Sequence, residues 1–190
     1  METERFEALI DAILAIIITI IVLEIPLASN GTWQALLDIK YEFIIYAISF
    51  MICFNFWNFN NNIFSIVNKV DSKIIWTMGL TLFVFSLLPY LTTFAAENFY
   101  VFFPQFLYGL SFIITAIFSL IICKFLKDAD PGNVALQVAL SDPYPFYTTI
   151  ILVMIGIVIG YFAYPPVIML SCLISILGVW IIPKIRGNII

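Results

Sequence analysis

The sequence predicts an all-α membrane protein of six transmembrane helices, and three observations carry that expectation. Apolar side chains fill 63% of the 190 positions, about 120 in all, where one bilayer-spanning helix uses roughly 20. Eight Lys or Arg and twelve Asp or Glu are the whole charge complement, mean hydropathy is +1.10, and no polar stretch is long enough to fold alone as a soluble domain. Turn formers and polar clusters cut the apolar sequence at intervals that suit membrane spans.

The first span is expected over 8–26. It is not a signal peptide, because Glu2, Glu4 and Glu7 outnumber the single Arg5 where a basic n-region is required. Pro26 and the group Ser29, Asn30, Gly31 end it. The second span, 41–59, closes in Asn58, Asn60, Asn61 and Asn62. Asp71, Ser72 and Lys73 introduce the third, 74–94, whose Pro89 is placed to kink it. Glu97 and Asn98 turn the chain into the fourth span, 99–123, with Pro104 tolerated near its start.

The longest polar stretch follows, 124–145. It holds the turn Asp130-Pro131-Gly132 and then 133–140, long enough for one or two interfacial helical turns. From Phe146 to Ile182 there is no charge, and Tyr164-Pro165-Pro166 divides this length into spans 146–164 and 166–182. The whole chain, 1–190, is thus read as a single membrane domain.

Both termini are expected in the cytoplasm. That orientation puts Arg5, Lys69, Lys73, Lys124, Lys127, Lys184 and Arg186 inside and only Lys40 outside, as the positive-inside rule requires. Trp33, Trp57, Trp76 and Trp180 fall near span ends, where an aromatic belt sits. No span pattern recurs, so an inverted-repeat transporter finds no support.

Composition also excludes chemistry. The chain has no histidine, which removes imidazole metal sites, Ser-His or Cys-His nucleophile pairs and imidazole proton relays. Cys53, Cys123 and Cys172 lie far apart in apolar runs and read as small buried hydrophobes, not metal ligands. A net charge of -4 argues against a nucleic-acid partner. No cofactor is expected and the protein is not expected to be an enzyme, since no convergent set of nucleophile, base or metal ligands is available.

Charge within a span is costly and therefore informative. Asp11 and Glu24 stand out, both near the ends of the first span. Glu24 reads as snorkelling to the outer interface. Asp11 either caps or pairs at the inner interface or holds a specific partner on another helix, with Ser49, Asn55, Trp57 and Asn60 at a suitable level and Arg5 the nearest cation in sequence. The other spans offer no acidic or basic group at mid-depth, which leaves a pathway of apolar and hydroxyl groups selecting by constriction and partial dehydration.

On the first span Ile16, Ile20 and Leu23 recur at i, i+4, i+7, with Thr19 beside them. By spacing alone, lipid contact or bundle packing explains such a stripe as well as a pore does. At about 100° per residue, Asp11 points roughly 140° away from Ile16, toward neighbouring helices. On the fifth span Gly156 and Gly160 form a small-xxx-small pair suited either to the sixth span or to a subunit contact.

The run Arg5-Phe6-Glu7-Ala8-Leu9-Ile10-Asp11 and its continuation to Glu24-Ile25 resemble the first helix of the transmembrane protein 175 family, the endosomal and lysosomal potassium channels. The likeness continues in Tyr46-Ala47-Ile48-Ser49-Phe50 with Trp57, and in Phe85-Ser86-Leu87-Leu88-Pro89-Tyr90. The resemblance implies the family's prokaryotic form, a six-helix unit assembling as a homotetramer, with four first helices around a potassium pathway that lacks a TVGYG filter. It implies that Ile16 forms a hydrophobic constriction, with Thr19, Ile20 and Leu23 as further pore layers. It also implies that Arg5, Asp11, Trp57 and Asn60 belong to a polar network tying the first helix to its neighbours.

Three departures thin that network. Leu9 and Ile10 stand where the family signature has Phe and Ser, Asn60 stands where a histidine usually follows the tryptophan, and a third-helix asparagine is lost near Met78. The expectation is therefore a potassium-selective channel of the prokaryotic cell membrane, partnered by its own copies, the lipid bilayer and potassium ions. The competing expectation is a small ion-coupled transporter or proton conductor that titrates Asp11 or Glu24.

Overall fold

The computed structural model describes residues 3–185, with side chains described for 4–178. The Trp180 and Lys184 side chains and the whole of Arg186 therefore lie outside the described residues. Within them every regular element is a helix, with no strand: α1 Thr3–Leu23, α2 Trp33–Asp38, α3 Lys40–Phe64, α4 Ser72–Ser86, α5 Leu88–Glu97, α6 Phe102–Ala129, α7 Val134–Ala139, α8 Tyr144–Phe162 and α9 Val167–Ile185. Among the described residues five stretches are long and apolar enough to cross a membrane, and the α4–α5 pair forms one of them, Ser72–Glu97. The apolar Val167–Gly178 adds a shorter segment within α9.

The helix ends follow local chemistry. Thr32 caps α2 by accepting from Ala35 N, a short helix that the sequence pattern does not announce. Asp71 caps α4 by accepting from Ile74 N at 3.0 Å, and Asn133 caps α7 by accepting from Leu136 N at 3.1 Å. The α3 helix runs five residues past Phe59, through the asparagine cluster. It can do so because Asn60 donates to its own helix at Phe56 O, 2.7 Å away, while Asn61 and Asn62 stay exposed. Likewise α6 continues past Cys123 to Ala129, stopped by the Asp130-Pro131-Gly132 turn.

At Pro89 the structure departs from a simple kink. The chain forms two helices joined at Leu87, with Pro89 in the first turn of α5. Leu87 N–H closes a tight turn onto Val84 O at 3.2 Å, and Pro89 has no N–H to give to the turn before it. The helix is therefore divided where its backbone ladder is weakest.

The helices share one continuous core. The most extensive contacts join α8 to α9, α6 to α8 and α4 to α6, while α1 packs on α3, α4 and α5. Gly156 and Gly160 face α9: a Cβ at Gly156 would collide with Ser171 Oγ and Cβ, and one at Gly160 would lie 2.7 Å from Ile168 Cγ1. The small-xxx-small pair thus serves packing within the chain. The loop after α6 is pinned to the end of α3, with Asn133 Nδ2 donating to Ile66 O at 2.8 Å and Asn68 Nδ2 donating to Asp130 Oδ2 at 3.2 Å.

Candidate ion pathway on α1

Two faces divide α1. Phe6, Ile10, Leu14, Ile17 and Ile21 recur at helical spacing and are all at most 4% exposed, so this stripe anchors the helix to α3, α4 and α5. Burying five such side chains contributes on the order of 1.5–3 kcal/mol each in water, an upper guide for a chain whose surroundings are lipid. The opposite face is largely uncovered by the described residues. There Ile16 is 58% exposed, Ile20 39% and Leu23 79%, and Thr19 is exposed beside them.

Thr19 has a specific polarity. Its hydroxyl donates to Ile16 O at 2.8 Å, so its only proton is committed to the backbone and its oxygen lone pairs remain outward as acceptors. Beside this face an open groove of about 460 Å³ runs between Ile13, Ile16, Ile17, Ile20 and Glu24 of α1 and Ser86, Pro89 and Tyr90 at the α4–α5 break. The sequence pattern singles out Pro89 only as a helix disruptor; its place opposite the stripe is a product of the tertiary fold.

The residues expected to tie α1 down separate into two groups. Asp11 and Trp57 meet, with Trp57 Nε1 donating to Asp11 Oδ1 at 2.9 Å across the α1–α3 interface. The interhelical partner is therefore the one realised among the alternatives open to Asp11. Asn60 is buried but spends its amide on Phe56 O, and Arg5 is exposed, with no hydrogen bond or ion pair among the described residues. Ile10 and Met78, which stand near positions where the resemblance expects polar groups, are 1% and 0% exposed. Apolar packing occupies their sites, so neither site buries a polar side-chain group.

Sequence reading missed a second polar group, at the junction of α3, α5 and α6. Ser49 Oγ lies 2.7 Å from Thr92 Oγ1 and 2.9 Å from Tyr108 OH, and Ser49 and Tyr108 are fully buried. The sequence pattern offers Ser49 only as a candidate partner for Asp11. Thr92 and Tyr108 carry no spacing that would bring them to it, since they are 43 and 59 residues away in the chain. Among the described residues no group of three His, Cys, Asp or Glu is placed to hold a metal ion.

The family model for the endosomal/lysosomal potassium channel TMEM175 matches residues 5–89, the segment that contains the stripe, the Asp11–Trp57 pair and the α4–α5 break. A potassium channel of Chryseobacterium sp. (strain P1-3) is 31% identical over 186 residues, covering 98% of this chain and 96% of that one. The chain belongs to the TMEM175 family. A potassium channel of Chamaesiphon minutus (strain ATCC 27169 / PCC 6605) is 32% identical over 110 residues, 55% of this chain and 53% of that one. The crystal structure of a lysosomal potassium-selective channel TMEM175 homolog from Chamaesiphon minutus matches with a TM-score of 0.66 at 23% identity, over 91% of this chain and 97% of that one. The TMEM175 fold therefore extends well past the matched first half, through the region where sequence motifs fade. The TMEM175 family is one of channels, passive transporters and not enzymes.

Proposed function

We propose that this protein is a potassium-selective channel of the cell membrane, a homotetramer in which four copies of α1 surround the ion path and Ile16 forms its constriction. Each chain contributes one membrane domain of six spans, α4 and α5 together making the third, with both termini cytoplasmic. The observation that carries the reading is the unpartnered face of α1, with Ile16, Thr19, Ile20 and Leu23 all exposed on it, in a chain that aligns almost end to end with a bacterial potassium channel. An apolar face alone suits lipid equally well; the alignment is what favours a pore.

The chemistry is that of dehydration. Four branched side chains converging at Ile16 leave too little room for a fully hydrated ion, and potassium surrenders water at lower cost than sodium. Thr19 supplies oxygen acceptors one turn away, because its proton is already held by Ile16 O. A cation that loses water at the constriction regains partial coordination there. Selectivity by this route is modest beside that of a carbonyl-lined filter.

The competing reading, a transporter or proton conductor working through Asp11 or Glu24, is disfavoured at Asp11 by its engagement with Trp57. Purified protein in liposomes is expected to pass potassium down its gradient, and Ile16→Asn to weaken the preference over sodium. A wild type silent under all ionic conditions, or a monomer in the membrane, would contradict the proposal. Flux lost in Asp11→Asn but indifferent to Ile16 would favour the transporter.

A further inference from the structure

The half-helix α5 backs the pore face of α1 but is joined to α4 only by a weakened turn. Pro89 and Tyr90 of α5 line the groove with Ile16 and Ile20, and Leu87 lies at the break. Backbone continuity with α4 is therefore weakened at Leu87, and side-chain anchors help to fix where α5 sits.

The protons of the buried cluster can be assigned. Thr92 Oγ1 donates its one hydrogen to Leu88 O at 2.7 Å, so it is an acceptor toward Ser49, 2.7 Å away. Ser49 then has no hydrogen left for Tyr108, whose OH is the donor across 2.9 Å. The result is a one-way chain, Tyr108 to Ser49 to Thr92, that joins α6 and α3 to α5, with the last hydrogen spent inside α5 on Leu88 O. Tyr108 and Ser49 are 0% exposed and Thr92 4%, and in such surroundings each link polarises the next while a missing link leaves an unpaired group.

We propose that Tyr108, Ser49 and Thr92 are positioning residues for the pore: their hydroxyl chain ties α5, which backs α1, to α3 and α6 and thereby sets the width of the Ile16 constriction. This rests on the channel reading above. Thr92 lies one turn from Pro89, which faces the same groove as Ile16; without the chain α5 is held by apolar packing and, at its far end, by Gln105 Nε2 donating to Ala95 O. Other buried hydroxyls lack this reach, since Ser119 and Ser175 donate only to Thr115 O and Cys172 O of their own helices.

The test uses full-length protein in liposomes, with Thr92→Val and Tyr108→Phe, which keep shape and remove a hydroxyl, Thr92→Ser, which keeps it, and Ser175→Ala as a buried-hydroxyl control. Two quantities are read, the potassium-to-sodium permeability ratio and hydrogen exchange of the backbone amides at 86–92. Thr92→Val and Tyr108→Phe are expected to change the ratio by about threefold or more and to speed exchange by about fivefold. Thr92→Ser and Ser175→Ala should stay near wild type in both. Unchanged exchange in the first two variants overturns the clamp, and faster exchange with an unchanged ratio overturns its role in the pore. A wild type that passes no potassium refutes the channel reading and the pore role with it, while exchange still decides the clamp.

Discussion

Removing the single donor that Trp57 offers to Asp11 is the most informative perturbation of the α1 anchorage. Trp57→Phe keeps an aromatic ring in the interface and deletes the N–H that reaches Asp11 Oδ1 at 2.9 Å. A hydrogen bond to a charged group contributes about 1.5–3 kcal/mol in soluble proteins, but interhelical bonds within membranes average about 0.6 and reach about 1.7 kcal/mol. The site is part-buried and lies between membrane helices, which places the expected coupling within the membrane range, somewhat above its average. About 1 kcal/mol, a factor of roughly five in an unfolding equilibrium, is the working value. The assay is a double-mutant cycle of Trp57→Phe and Asp11→Asn, read by reversible unfolding in mixed detergent micelles. Each single variant should destabilise, and the double should cost less than their sum by about 1 kcal/mol. Strict additivity would refute the bond as a contributor to α1 anchorage.

Other outcomes follow from separate parts of the fold. Gly156→Ala places a methyl on Ser171 and should destabilise by about 1–3 kcal/mol, whereas Gly79→Ala, with nothing within 4 Å of its Cβ, should be neutral or stabilising by up to about 1 kcal/mol; thermal unfolding of the two variants separates them. Asn133→Ala removes the α7 cap and the tie to Ile66 O together, costing about 1–2 kcal/mol and exposing 130–140 to faster proteolysis. With no histidine in the chain, potassium flux between pH 6 and 8 should vary by less than about twofold. A sigmoidal flux profile centred near pH 7 would count against that expectation.

The sequence made α1 readable because its two jobs leave different marks. A buried stripe at Phe6, Ile10, Leu14, Ile17 and Ile21 and an unpartnered one at Ile16, Ile20 and Leu23 are both apolar, so periodicity alone cannot say which packs and which faces a path. Burial separates them, and resemblance to a channel family then gives the exposed stripe a use. Asp11 was placed correctly in direction by helical geometry, because a carboxylate about 140° from Ile16 has to meet another helix. Its partner was one of several residues at the same level, and only packing chose Trp57.

What escaped the sequence did so for identifiable reasons. The α2 helix is short and depends on Thr32, an ordinary loop residue until it accepts from Ala35 N. The asparagine cluster after Phe59 looked like a helix end, yet Asn60 satisfies its amide on its own helix and α3 continues. Pro89 signalled a disturbance but not whether the helix would bend or divide. The Ser49, Thr92 and Tyr108 cluster was least visible of all, since hydroxyls are common in membrane helices and most of them, as at Ser119 and Ser175, bond only within their own helix.

Cysteine modification tests most directly whether the exposed face of α1 lines the ion path. The three native thiols, Cys53, Cys123 and Cys172, are all buried, so an introduced cysteine at Ile16, Ile20, Leu23 or Ile17 can be read against a quiet background. A cationic thiol reagent should reduce potassium current in Ile16→Cys, Ile20→Cys and Leu23→Cys and leave Ile17→Cys unchanged, because Ile17 is 4% exposed on the packed face. Block of Ile17→Cys with no effect at Leu23→Cys and Ile16→Cys would place the path elsewhere.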